Sequence, residues 1–279
     1  MKLLIVDGSN LLFQMFYGMP ARITNSRGKA IQGTLGFVGA LLKMIRAVSP
    51  THVFVAFDGE CENARTEIDE AYKANRPDYH DVPEEETPFS QLPDIFRALD
   101  YLGIRCRETQ MCEADDWIAG YARRYGGDAD VVIASQDSDF FQLITDRVHV
   151  LRYRGDHSIL CDPAYIRQKL GINPSRYASY KSLTGDTSDN IRGVDKIGPK
   201  TAAALMNQFG DVEDLIAHTE EIAKPSVRAS VMNSTDRIRR NYALIALSGE
   251  ADLPFAAEDL AYTYTGITTT QVLAGIGLR

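Results

Sequence analysis

The chain opens with a short unbroken apolar run, residues 3–6 in "LLIVDGSN", that stops at Asp7. The pattern returns in "VFVAFDG", where residues 53–57 precede Asp58, and in "VVIASQDSD", where residues 131–134 precede Asp137 and Asp139. Continuous apolar runs of this length predict strands buried on both faces, as in a parallel sheet. Between them, "GFVGALLKMIRAV" (36–48) and "LPDIFRALDYLG" (92–103) space apolar residues three and four apart, which predicts helices. Strand–helix alternation predicts an α/β fold, a central, mostly parallel twisted sheet flanked by helices with right-handed crossovers. Sites in such sheets form outside the carboxyl ends of the strands, and all three runs reach Asp at that edge.

Two further stretches add acid. "CEADDWIAGYARRYG" starts an amphipathic helix with Glu113, Asp115 and Asp116, of which Glu113 and Asp116 can share a face. Acids at a helix start also suit the macrodipole, which leaves a purely structural explanation open. "LTGDTSDNIRGVDKIGPKTA" (183–202) places Asp186 and Asp189 in a polar loop. Residues 60–88 are polar, with ten acids against Arg65, Lys73 and Arg76, and predict a mobile loop or helical lid. Beyond about residue 170 helical patterns dominate: "SRYASYKSLTG", "KTAAALMNQFG", "DVEDLIAH" and "RIRRNYALIAL".

Composition narrows the class. Of 279 residues, 44% are hydrophobic and 24% charged, as in ordinary globular proteins. No apolar run approaches the ~20 residues that span a bilayer, and the first run is too short for a signal peptide. Cys61, Cys106, Cys112 and Cys161 lack CxxC spacing, which favours free thiols over a zinc site. The net charge of −8 argues mildly against a nucleic-acid partner. Setting aside window 60–88, at −7, and the nine clustered acids leaves +8 for the rest, which suits a phosphate backbone.

The acids set aside are Asp7, Asp58, Glu113, Asp115, Asp116, Asp137, Asp139, Asp186 and Asp189. Gathered together they could not all ionise without compensation, because like charges and burial raise carboxylate pKa values. Oxygen-only ligands point to Mg²⁺ or Mn²⁺, and their number points to two or more sites. Two such ions about 3.5–4 Å apart are the usual device for in-line phosphodiester hydrolysis. "GVDKIGPKTA" reads as hairpin then helix. Gly193 and Gly198 free backbone N–H groups, Pro199 suits the first helical turn, and Lys200 and Thr201 flank it. Such a junction can cradle a phosphate without reading bases, or be a ligand-free glycine turn.

The motifs "VDGSNLLFQMFYGMP", "FDG", "YKANRP", "EADD", "DSDFFQL" and "LTGDTSDNIRGVDKIGPKTA" resemble, in combination and order, the 5′ nuclease superfamily. That group comprises flap endonucleases and the 5′→3′ exonuclease domain of bacterial family A DNA polymerases, and the resemblance covers about residues 1–260. It implies a PIN-like core over 1–170, including a helical arch over 60–90, and a helical DNA-binding region over 171–279 with a helix–three-turn–helix at 180–210. It implies that Asp7, Asp58, Glu113, Asp115 and Asp116 gather around one metal, and that Asp137, Asp139, Asp186 and Asp189 complete a second. Tyr72, Lys73 and Arg76 match the family's arch element, with Lys73 stabilising the scissile phosphate beside catalytic Asp139. Gly193, Val194, Lys196, Ile197, Gly198, Lys200 and Thr201 would hold duplex DNA, with K⁺ at the same element.

The implied activity is structure-specific 5′ nuclease cleavage of DNA with 5′ flaps, nicks or free 5′ ends, and of RNA in RNA–DNA hybrids. The implied setting is a free-standing monomer in bacterial cytoplasm, working in replication and repair. Gln14, Ser138 and Ala64 depart from residues common in the family, and the acidic arch weakens electrostatic capture of DNA; these bear on rate and substrate preference rather than metal chemistry. A DNA-junction binder without turnover is the rival within the fold. A haloacid-dehalogenase-like phosphatase built on "DSD" is disfavoured by Phe140 and Phe141 and leaves the loop–helix junction unexplained.

Overall fold

The computed structural model describes residues 1–19, 21–59, 64–76, 79, 81–110 and 112–278. Six strands form the main sheet: β1 (Lys2–Asp7), β2 (His52–Phe57), β3 (Arg105–Glu108), β4 (Asp130–Ala134), β5 (Val148–Arg152) and β6 (Ile159–Cys161). Their order is β3-β2-β1-β4-β5-β6, and only β6 runs antiparallel to its neighbour. The three apolar runs are β1, β2 and β4, the central strands, as their continuous hydrophobicity predicts.

The helices are α1 (Gly8–Gly18), α2 (Gln32–Val48), α3 (Ala64–Ile68), α4 (Leu92–Tyr101), α5 (Ala114–Tyr125), α6 (Pro163–Leu170), α7 (Tyr177–Thr184), α8 (Pro199–Phe209), α9 (Val212–Ala217), α10 (Pro225–Met232), α11 (Thr235–Ile245) and α12 (Thr269–Gly275). Side chains alternate across β1. Leu3 and Ile5 join the core under α5, α7 and α8, while Leu4 and Val6 join the core under α1, α2 and α4. All four are essentially fully buried, and burial of such a side chain is worth about 1.5–3 kcal/mol. The chain winds outward from β1 to β2 and β3, then restarts at β4 on the other side. That reversal makes a switch point between β1 and β4, where a crevice opens at the carboxyl edge.

Three expectations change in detail. The helix read over 36–48 begins at Gln32, and the one read over 92–103 stops at Tyr101 because Gly103, at φ +68°, reverses the chain. The described residues of the 60–90 window, read as a loop or helical lid, combine one short helix with turns. Its α-helix ends at Ile68, where the Asp69 carboxylate accepts the Ala71 N–H at 3.0 Å and turns the chain. Beyond it lie turns and two 3₁₀ segments, Glu84–Glu86 and Pro88–Gln91. Glu60, Cys61, Glu62, Asn63, Pro77, Asp78 and His80 lie outside the described residues. Finally, the end of the helical region read as 171–279 returns to the first core. Tyr262 donates its N–H to Thr51 O at 2.9 Å, and Val272, Leu273 and Ile276 pack with α2 and α4.

Within 183–202 the hairpin is real but small. β7 (Gly185–Asp186) pairs antiparallel with β8 (Ile191–Arg192), and the Thr187–Asn190 turn projects toward the crevice. Gly193 is required by close approach, since a Cβ there would meet Thr184 O at 2.4 Å. Gly185 has φ +79° and faces it.

Candidate metal and nucleic-acid site

Asp7 ends β1 and caps α1. One carboxylate oxygen accepts the Asn10 N–H at 3.0 Å, and the other accepts the Ser135 hydroxyl at 2.8 Å. Ser135 follows β4 across the switch point and also accepts the Asp137 N–H, so one hydroxyl spaces Asp7 from the Asp137 loop. Asp137 in turn accepts the Asp139 N–H at 2.8 Å. Asp58, exposed at the end of β2, accepts Ala114 N–H at the start of α5 at 2.9 Å, which brings Asp115 to the same edge. The cleft between these elements holds about 680 Å³ and is lined by Asp7, Asp58, Glu113, Asp115 and Asp137.

The acids divide into two sets. Glu113 contacts Lys73 and, at 2.5 Å, Arg65; Arg65 also bonds Asp116 at 2.9 Å. Arg76 reaches Asp189 at 3.0 Å and Lys181 reaches Asp186 at 2.5 Å. These outer acids are compensated by basic side chains. Burial alone would raise Glu113, but the charges of Lys73 and Arg65 hold it below its usual value. Burial opposes ionisation of Asp186 too, and the bonds from Lys181 and Ser188 outweigh it.

The inner acids lack such direct contacts, and the more distant charges of Lys73 on Asp137 and Lys181 on Asp139 do not outweigh burial. Among the described residues, none of Asp7, Asp115, Asp137 and Asp139 contacts a basic side chain. Burial, then the Asp58 charge, pushes Asp7 up to about 7. Burial and the Asp137 charge push Asp115 and Asp139 well above the carboxylate range, and burial raises Asp137. Asp139 Oδ1 is buried without a hydrogen-bond partner among the described residues. An orphaned carboxylate oxygen within a set of acids that lack direct basic partners fits a hard divalent cation. Among the described residues, no three acidic, His or Cys side chains stand as a ready metal cage. The outer acids are turned instead toward Arg65, Lys73, Arg76 and Lys181.

The 71–76 segment lies across the crevice. Lys73, at φ +57°, donates its N–H to Asp189 O at 3.0 Å, while Asn75 and Asn190 side chains tie the segment to the hairpin turn. Tyr72 is buried, its hydroxyl 3.4 Å from Glu113 and its phenol held neutral by burial and that carboxylate. On the far wall Phe13, Tyr17, Tyr79 and Phe89 form an aromatic cluster, with the Tyr17 and Tyr79 hydroxyls 3.0 Å apart.

Of the residues expected to meet DNA, Lys196, Gly198 and Lys200 are exposed and Gly193 and Thr201 half-buried. Val194 and Ile197 are buried in the core, so their side chains hold the turn rather than touch a ligand. Gly198 caps α8 with Pro199 at its first turn, as the sequence predicts.

Sequence reasoning passed over Arg65, Ser135 and Lys181 as site residues. The signal for Lys181 was available: it is the one charged residue in α7, whose neighbours Tyr180, Ser182 and Leu183 are all buried. Arg65 could not be singled out, because its role depends on α3 reaching α5.

Two family models match the chain in series: "5'-3' exonuclease, N-terminal resolvase-like domain" over residues 2–171 and "5'-3' exonuclease, C-terminal SAM fold" over 172–266. Thermostable DNA polymerase I of Thermus aquaticus is 34% identical over 259 residues, which is 92% of this chain and 29% of that protein. DNA polymerase I of Bacillus subtilis is 31% identical over 276 residues, 98% of this chain and 30% of that protein. The chain thus spans about three tenths of the length of these curated relatives. The T5 D15 protein co-crystallised with metal ions superposes with a TM-score of 0.73 at 25% identity, covering 88% of this chain and 90% of that one. The catalytic core of Rad2 in complex with DNA substrate shares the fold, with a TM-score of 0.61 at 14% identity over 99% of this chain and 92% of that one.

Proposed function

We propose, for a chain that belongs to the 5′-3′ exonuclease family, that it is a structure-specific 5′ nuclease hydrolysing DNA phosphodiesters. The observation that carries this reading is the inner acid set. Asp7, Asp115, Asp137 and Asp139 come from three separate segments to one sheet edge, where no described basic side chain contacts them. Concentrated negative charge without a direct basic partner, beside a cleft that would take phosphate, serves a binder poorly and a divalent-metal nuclease well.

Asp7, Asp58, Glu113, Asp115 and Asp116 are assigned to one divalent site, and Asp137, Asp139, Asp186 and Asp189 to a second. Mg²⁺ or Mn²⁺ is favoured by the all-oxygen donor set, and the similar T5 5'-exonuclease with divalent metal ions (zinc) bound is consistent with divalent metal use. Bound there, the pair supplies Lewis-acid activation of water and stabilisation of the leaving oxygen.

The chain's own groups would orient the strand. Lys73 and Arg76 now face Glu113 and Asp189; an incoming phosphate competes for the same donors and gains a charge-assisted hydrogen bond. Phe13, Tyr17, Tyr79 and Phe89 offer a stacking wall that shields the cleft from water. Lys196, Lys200 and the open Gly198–Thr201 junction would hold the duplex through phosphates. K⁺ is assigned to the 193–198 loop on the resemblance alone. We divide the chain into a nuclease core over 1–170 and a DNA-binding region over 171–279. Among the described residues no helix is long and apolar enough to cross a membrane. The working form is taken to be a monomer in bacterial cytoplasm, acting on 5′ flaps, nicks and free 5′ ends, with RNA in hybrids as a further substrate.

The test compares flap, nicked, single-stranded and blunt substrates with Mg²⁺, Mn²⁺ or EDTA. Metal-dependent cutting is expected on flap and nicked DNA. Asp139→Asn should abolish cutting while flap binding in Ca²⁺ persists; cutting that survives this change removes Asp139 from the mechanism.

A further inference from the structure

The carboxyl end of β5 carries two arginines that the acid site does not use. β5 is parallel to β4 and pairs Leu151 with Ala134, so Arg152 emerges beside Ser135 at the carboxyl end of the sheet. The Arg152 guanidinium lies 5.8 Å over the Phe141 ring and donates Nη2 to Gln136 O at 2.9 Å. Its Nε is buried with no hydrogen-bond partner among the described residues. Arg154, exposed two residues on, donates Nε to the Gln136 side-chain oxygen at 3.2 Å. Gln136 is the residue immediately before Asp137.

Both arginines are held by a fixed frame. Gln14 from α1 and Gln136 each donate a side-chain N–H to Tyr153 O at 2.8 Å, and Asn10 accepts Gln136 N–H at 3.0 Å. Arg154 N–H bonds Ser158 Oγ at 2.9 Å, which closes the following turn around Gly155 at φ +60°. Yet neither guanidinium forms an ion pair among the described residues, although Asp156 shares the turn. Among the described residues, the hydrogen bonds of both guanidinium groups go to neutral oxygens of one glutamine. A guanidinium carries five donors in a planar fork suited to phosphate, and these two leave most of them open.

We propose that Arg152 and Arg154 form a phosphate clamp beside the 135–137 loop at the carboxyl end of β4. The clamp takes backbone phosphates flanking the one at the acids, so it sets the position of the strand without reading bases. Gln14 and Gln136 are the positioning residues that aim it. The aromatic ring beneath Arg152 and the buried, unpartnered Nε distinguish it from an arginine simply lying in solvent. This rests on the nuclease reading above.

The experiment measures binding of flap DNA in Ca²⁺ between 50 and 200 mM salt, for wild type, Arg154→Gln, Arg154→Lys, Arg152→Gln/Arg154→Gln and the control Arg147→Gln at the opposite end of β5. Each lost phosphate contact lowers the salt slope by about 0.7–0.9, so the double variant should lose about 1.4–1.8 from the slope. Its affinity deficit at 50 mM should shrink about tenfold by 200 mM. Arg154→Lys should restore most of the single variant's slope, Arg147→Gln should match wild type, and melting temperatures identify any variant that fails to fold. Arg154→Gln, being exposed, keeps the question open to test if the double variant unfolds. Slopes unchanged in a folded Arg154→Gln overturn the clamp while wild type still binds and cuts. A wild type that neither binds nor cuts overturns the nuclease reading instead.

Discussion

Asp7→Asn isolates the electrostatic cost of the acid site. Asp7 is 5% exposed, and burial together with Asp58 raises its carboxyl from 3.8 to about 7. The folded protein therefore holds a proton there that the unfolded chain releases above pH 4. Its contribution to stability is fully present below pH 3.8 and is lost as pH rises through about 7. At about 1.4 kcal/mol per pH unit, the ionised group costs roughly 4 kcal/mol at pH 8 in metal-free buffer. Asparagine keeps the geometry: its oxygen can still cap α1 by accepting Asn10 N–H, and its amide can donate to Ser135. In urea titrations with EDTA, Asp7→Asn should be more stable than wild type by about 2–4 kcal/mol at pH 8 and nearly equal to it at pH 4. Mg²⁺ should raise wild type at pH 8 and remove much of that advantage, because a bound cation relieves the same repulsion. A variant less stable than wild type by the same margin at both pH values would show that Asp7 is an ordinary cap whose charge carries no penalty.

Arg65→Ala leaves Glu113 and Asp116 beside the cleft without their shared partner, and should cost about 3–5 kcal/mol by chemical denaturation; a loss below 1 kcal/mol would mean that Lys73 alone suffices. Lys200→Ala should weaken DNA binding evenly across sequences and reduce the salt slope by about 1, and a loss confined to particular sequences would contradict a phosphate contact.

The central strands, the acids that end them, and the α7–α8 junction were all legible along the chain. β1, β2 and β4 are buried on both faces, so their apolar runs are continuous, and the strand ends follow directly. Gly193 reads in the sequence as freeing backbone N–H groups; its close approach to Thr184 and Gly185, which leaves no room for a side chain, comes only from the structure. The 60–90 window reads as a mobile loop or helical lid, and the conformation of its described residues was not legible because it is set by what they dock on. Asp69 turns the chain, Asn75 and Asn190 strap it to the hairpin, and Lys73 and Arg76 pair with acids more than thirty residues away.

Residue types and their order determined that strand-end acids would share one sheet edge, because parallel strands of one sheet all finish on the same side. Only the tertiary structure decided how those acids divide. Arg65, Lys73, Arg76 and Lys181 contact the outer ones and, among the described residues, leave Asp7, Asp115, Asp137 and Asp139 without a direct basic partner. Charge interactions depend on distance and burial, and neither is written in the spacing of a chain that folds back on itself.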